Sequence, residues 1–121
     1  MILSTNDFIA GREVVETIGL VKGNTIRTRA LHKDLLADLG NLIGGEIQEY
    51  TKMMAEAREQ ALHRLEEDAK AVKADAVIGV RFATNSMMKG AAELLAYGTA
   101  VKLAPVDNSE AAPHDDRRTS A

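Results

Sequence analysis

The sequence predicts an α+β domain in which one long helix packs on a small antiparallel sheet. First, Ile47, Tyr50, Met54, Ala57, Ala61, Leu65, Ala69 and Val72 recur at steps of three and four, the stripe of an amphipathic helix. Second, the period changes to two in "AVIGVRFATN" (76 to 85), which predicts a strand, and "AELLAYGTAVKL" (92 to 103) follows as its hairpin partner. Third, a segment rich in β-branched residues precedes the helix, so the order strand, helical segment, hairpin sets one helix layer on one sheet.

From Arg12, "REVVETIGLVKGNTIR" predicts a strand running from about Val14 to Val21, with Lys22 to Thr25 as a turn. In "LHKDLLADLG" (31 to 40) leucines at 31, 35, 36 and 39 have helical spacing, and Gly40 suits a helix C-terminus. A short helix is expected there. On the long helix the remaining faces carry Glu56, Arg58, Glu59, Gln60, Arg64, Glu66, Glu67 and Lys70, with Glu66 and Lys70 in the favourable i, i+4 order. Those faces are expected to meet water or a neighbouring subunit. In the strand after it, Ala76, Ile78, Val80 and Phe82 are expected to face the helix. Val77, Arg81, Leu95, Tyr97 and Val101 then fall on the bare face of the sheet. "SMMKGA" (86 to 91) is the connection. Residues 1–104 form the domain, and 105–121, polar, proline-containing and without periodicity, are expected to be a disordered tail.

Three strands leave two edges and one uncovered face, and both favour self-association. The chain of 121 residues is large enough for one core and small enough for an interface to contribute much of its stability. A net charge of −3 with both signs dispersed is no footprint for nucleic acid. The absence of cysteine excludes disulfides, thiolate nucleophiles and thiolate metal sites. No apolar run suits a signal or a membrane span, so a cytoplasmic protein without a membrane partner is expected.

The stretch "NLIGGEIQEY" (41 to 50) puts Gly44 and Gly45 directly before Glu46 and Glu49 at the helix start. Free amides at a helix N-terminus attract anions, but the spacing of neither phosphate-binding fingerprint is present, and the two glutamates repel phosphate. Gly44 and Gly45 therefore read as a joint allowing a tight bend and close packing. Glu46 and Glu49, at i, i+3, share a helix face and can ligate a hard divalent cation, alone or with His63, which has Glu59 and Glu67 one turn to either side. The pairs Met53–Met54 and Met87–Met88 offer thioether sulfur to a soft metal, but methionine in such stripes and turns usually packs. Three scattered histidines give no nucleophilic triad. Arg81, between Val80 and Phe82, is expected to cross an interface or pair with Glu46, Glu49 or Glu93.

Four stretches in this order, "GGEIQEYT" (44 to 51), "AREQAL" (57 to 62), "ADAVIGVRF" (74 to 82) and "AYGTAV" (96 to 101), resemble the uncharacterised YbjQ-like family, which carries a heavy-metal-binding label. The resemblance runs from about Ile2 to Leu103. It implies a β-α-β-β subunit similar to a dodecin subunit, assembled into a pentameric ring. The count of five comes from the resemblance alone. Soft-metal domains of the usual kind use a CxxC pair, so any metal here must use carboxylate, histidine, methionine or backbone oxygen.

The expected function is therefore that of a homo-oligomeric binding or scaffold protein, not an enzyme. A divalent metal or small ligand would sit at subunit interfaces near Glu46, Glu49, His63 and Arg81. Gly44, Gly45, Tyr50, Arg58, Arg81, Tyr97 and Gly98 are expected to be assembly or structural residues. The alternative is a hydrolytic or transfer enzyme with an inter-subunit site using Glu46 or Glu49 as base and Arg81 as electrophilic partner.

Overall fold

Val21, Gly23 and Thr25 are buried while Lys22, Asn24 and Ile26 are exposed, so the segment read as a turn is the middle of a strand. The structure, a computed structural model, describes residues 1–28, 45–88 and 91–106, the side chains of 45–47 excepted. The elements are β1 (Ile2–Leu3), β2 (Val14–Thr28), α1 (Gly45–Ala71), β3 (Ala76–Met88) and β4 (Ala91–Leu103). The helix expected at 31–40, Gly44, and the tail from 107 onward lie outside the described residues. Lys22 to Thr25 continue β2 because each is paired with β4, from Lys22 with Tyr97 to Thr25 with Leu94. Gly-Asn, a turn signal in isolation, is overridden by that ladder.

The sheet has the order β1-β3-β4-β2. β3 and β4 form the predicted antiparallel hairpin, β2 runs antiparallel along β4, and β1 adds a short parallel pairing with β3. It is thus a mixed four-stranded sheet, one strand more than the sequence predicts. The two residues of β1 are too few for a periodicity to show.

α1 covers one face. Ala57, Ala61, Leu65 and Ala69 are all 0% exposed and pack with Val21, Val77, Val80, Leu94, Ala96 and Ala100. Tyr50 and Met54 of the predicted stripe are half-buried, and Val72, just past the helix, is exposed. Three of the four fully buried helix residues are alanine, so the helix backbone can approach the sheet closely. It does so at Gly23, where a Cβ would fall well inside van der Waals contact distance of Leu65 N and Ala61 O.

The facing of β3 departs from simple alternation. Ile78 pairs with Thr99 but Arg81 with Tyr97, so Gly79 and Val80 together oppose Gly98, a β-bulge with Gly79 at φ 63°. As a result Val77 lies under the helix with Val80, whereas Ala76 and Ile78 lie on the other face with Ile9, Val101 and Leu103. The expected facing of Ala76, Ile78 and Val77 is reversed, because one inserted residue flips every side chain on one side of it. Val80 is placed as expected, and Phe82 shares its side of the sheet without joining the core. The bulge amides are not orphaned: Gly79 N donates to Asn6 O at 2.7 Å and Val80 N to Ser4 O at 2.9 Å. The N-terminal segment thereby crosses the outer face and seats Ile9 there.

α1 ends in a Schellman arrangement: Ala74 N donates to Ala69 O at 3.0 Å and Lys73 N to Lys70 O at 2.9 Å. Lys73 holds the left-handed position, φ 63°, where glycine is usual. Relieving that strain outweighs the extra freedom glycine brings to the unfolded chain. Lys73→Gly is therefore expected to stabilise by about 0.5–1 kcal/mol, read as a higher urea midpoint at fixed protein concentration. On the solvent side, Lys70 Nζ is 3.2 Å from Glu66 Oε2, the predicted pair, and the Lys70 hydrogen bond holds the Glu66 carboxyl below its ordinary value. Its small contribution is complete above the ordinary glutamate pKa and is lost as pH falls through the lowered one. No helix of the described residues is long and apolar enough to cross a membrane.

Candidate functional site

The residues predicted to hold a metal are spread along one helix. Glu49 lies near its start and His63 fourteen residues on, about 21 Å along the axis at 1.5 Å per residue. They cannot share an ion within one subunit. His63 is exposed, and its Nε2 is 3.6 Å from Glu67 Oε2, a loose surface pair. The side chain of Glu46 lies outside the described ones. Among the described residues no three of His, Cys, Asp and Glu gather closely enough to hold a metal ion.

Arg81 is on the opposite face of the sheet from α1. It pairs with none of the predicted carboxylates: its Nη1 donates to Thr5 O at 2.8 Å and Val80 O at 2.9 Å, fastening the N-terminal segment beside the bulge. Glu93 instead accepts from Asn24 Nδ2 at 3.1 Å and Asn85 Nδ2 at 3.2 Å, tying together the three long strands. Tyr97 is half-buried between Lys22 and Arg81 in the ladder. Gly98 is structural in the plain sense, since a Cβ there would stand 2.7 Å from Val77 Cγ1 and 3.0 Å from Ile78 O. Arg58 is exposed on the helix, and Gly45 is its first residue.

The polar side chains that do converge come from elsewhere. Because α1 lies along β2, its side chains reach that strand's free edge: Lys22 N donates to Asp68 Oδ2 at 3.0 Å, and Arg64 Nη1 donates to Asn24 O, at 2.6 Å. One turn earlier, Gln60 Oε1 accepts from both Thr25 Oγ1 at 2.7 Å and Arg27 Nη2 at 3.0 Å. Between these groups is an open cleft of about 330 Å³ lined by Asn24, Thr25, Ile26, Arg27, Gln60 and Arg64. Among the described residues it holds two guanidinium groups and no carboxylate. Arg27 Nε is buried there without a hydrogen-bond partner.

A family profile described as "Putative heavy-metal-binding" matches residues 1–104. The chain belongs to the YbjQ-like family. A UPF0145 protein of Methanosarcina acetivorans is 52% identical over 103 residues, covering 85% of this chain and 97% of that relative. UPF0145 proteins of Clostridium novyi and Thermus thermophilus are 54% and 52% identical, over 85% and 87% of this chain. Among solved structures, a Pediococcus pentosaceus protein of unknown function from the DUF74 family superposes with a TM-score of 0.59 at 18% identity. That match covers 86% of this chain and 98% of the other, and it supports the fold alone.

The metal label of the YbjQ-like family is not matched by the described donors of one subunit. A heavy, soft ion favours thiolate, which the chain lacks altogether, and the described histidine stands apart from Glu49. The cleft residues Arg27, Gln60 and Arg64 escaped the sequence reading for a specific reason. With 22 to 25 taken as a turn, Arg27 has no strand to sit on, and Gln60 and Arg64 count only as facing water or a neighbouring subunit. The alternation of Val21, Gly23, Thr25 and Arg27 was the available signal.

Proposed function

We propose that this YbjQ-like protein is a homo-oligomeric binding or scaffold subunit that assembles as a ring of five. The observation that carries the reading is the open edge of β3. Beyond Val80, β3 has only β4 as a neighbour among the described residues, and this bare half carries exposed Phe82 (43%), Met87 (53%) and Met88 (69%). Unpaired strand edges with apolar side chains recruit another chain unless they are blocked. The middle of the β2 edge is blocked by Asp68 and Arg64, which directs association to β3 and to the exposed Leu20 and Ile26 at other points of the sheet.

Any divalent ion held by such a ring would be ligated across subunits, by Glu46, Glu49 or His63 of different copies. Native mass spectrometry of the full chain tests both points together. A single species of five subunits is expected, and Phe82→Arg with Met88→Lys is expected to convert it to monomer. A wild-type monomer at micromolar concentration would sink the proposal.

A further inference from the structure

The cleft between α1 and β2 has the chemistry of a receptor for negative charge. Its two cationic side chains are held in place by neutral partners, Arg27 by the Gln60 amide oxygen and Arg64 by the Asn24 carbonyl, so neither charge is neutralised by the contact that orients it. An arginine fixed by a carboxylate is a structural ion pair; an arginine fixed by a carbonyl keeps its full charge for something else. Gln60 strengthens the point. Its oxygen already accepts two hydrogen bonds, from Thr25 and Arg27, which leaves its NH2 group as a donor. Thr25, only 3% exposed, locks that orientation from below.

The nearest acids on the same helix do not enter. Asp68, one turn beyond Arg64, is engaged by the Lys22 amide, and Glu56, one turn before Gln60, is exposed and is not among the lining residues. A buried guanidinium N–H with no acceptor is costly, and the Nε of Arg27 is in that state. That Nε is closed to solvent, as is the Nε of Arg12, so an incoming anion would be met by the lining groups and not by it.

From this geometry we infer that the Arg27–Gln60–Arg64 cleft binds a small oxyanion, a phosphate ester or a di- or tricarboxylate. The described lining of the cleft all comes from one subunit, so the inference does not depend on the proposed ring. Bidentate recognition by planar guanidinium groups suits both ligand types, and the volume admits more than a single ion.

Isothermal titration of the full-length protein with pyrophosphate and, separately, with citrate, in 150 mM chloride, tests it. Saturable binding of at least one probe, one per subunit, is expected. Pyrophosphate alone points to phosphate esters and citrate alone to carboxylates. Gln60→Glu keeps the side-chain shape and its bonds to Thr25 and Arg27 while placing a negative charge in the cleft, and is expected to weaken binding at least tenfold. Arg27→Gln should do the same and serves where Gln60→Glu fails to fold. Arg58→Gln removes an equal charge from the exposed helix face and should leave binding within twofold. The inference is overturned by no saturable binding of either probe, by binding that survives both cleft substitutions, or by equal loss in Arg58→Gln.

Discussion

Gly23→Ala is expected to destabilise the fold by about 3 kcal/mol or more, at the upper end of the cost of overpacking. Two effects oppose each other at this position. Gly23 is not in the left-handed region, so alanine is compatible with its backbone and would by itself stabilise by about 0.4–1 kcal/mol through the unfolded chain. The steric term wins because the new methyl would press on Leu65 N and Ala61 O, which are backbone atoms of α1 and cannot rotate away. Relief requires the helix to lift from β2. That movement would also open the Thr25–Gln60 bond and the Arg64–Asn24 bond, so the cleft should lose its geometry along with the fold its stability. Urea denaturation at fixed protein concentration reads the first; an unchanged or higher midpoint would show that the close approach is wrong.

Leu65→Ala has a comparable expected cost, about 2–5 kcal/mol, from lost apolar burial and the cavity left behind. Leu65 is fully buried and is the one large residue in the buried ridge of α1, between Ala61 and Ala69. Its neighbours in the core include several alanines, which have little side chain with which to close a gap. The loss should therefore fall in the upper half of that range. A change below about 1 kcal/mol in the same denaturation experiment would mean that the helix does not rest on this residue. The contrast between the two positions is instructive: at Gly23 there is no room for one carbon, and at Leu65 nothing fills the space of three.

Much of this architecture is legible in the residues themselves. The stripe through Ala57, Ala61, Leu65 and Ala69 gives the helix and its buried face, because side chains at i and i+4 lie above one another on any helix. The hairpin follows from alternation in two neighbouring segments, and the Glu66–Lys70 pair from spacing alone. The facing of β3 is not legible, since a bulge at Gly79 adds one residue without altering composition or average periodicity. Nor is the role of Arg81, whose acceptors are the carbonyls of Thr5 and Val80 rather than a side chain. Backbone acceptors are present at every residue, so no sequence pattern marks them.

The candidate metal residues illustrate the same limit from the other side. Glu49 and His63 are chemically suitable as types, but a straight helix holds them apart. Arg27, Gln60 and Arg64 are unremarkable as types, and the packing of α1 against β2 brings them together. By itself the sequence determined the long helix and its apolar face, the hairpin, a strand before the helix, the lack of thiolate chemistry and the family, all of which depend on residue type and local spacing. Only the tertiary structure decided which face of β3 is buried, which strand edge is closed and which charged groups meet. Those depend on register and on the distance between elements, and a single glycine without a side chain, at 23 or at 79, sets them.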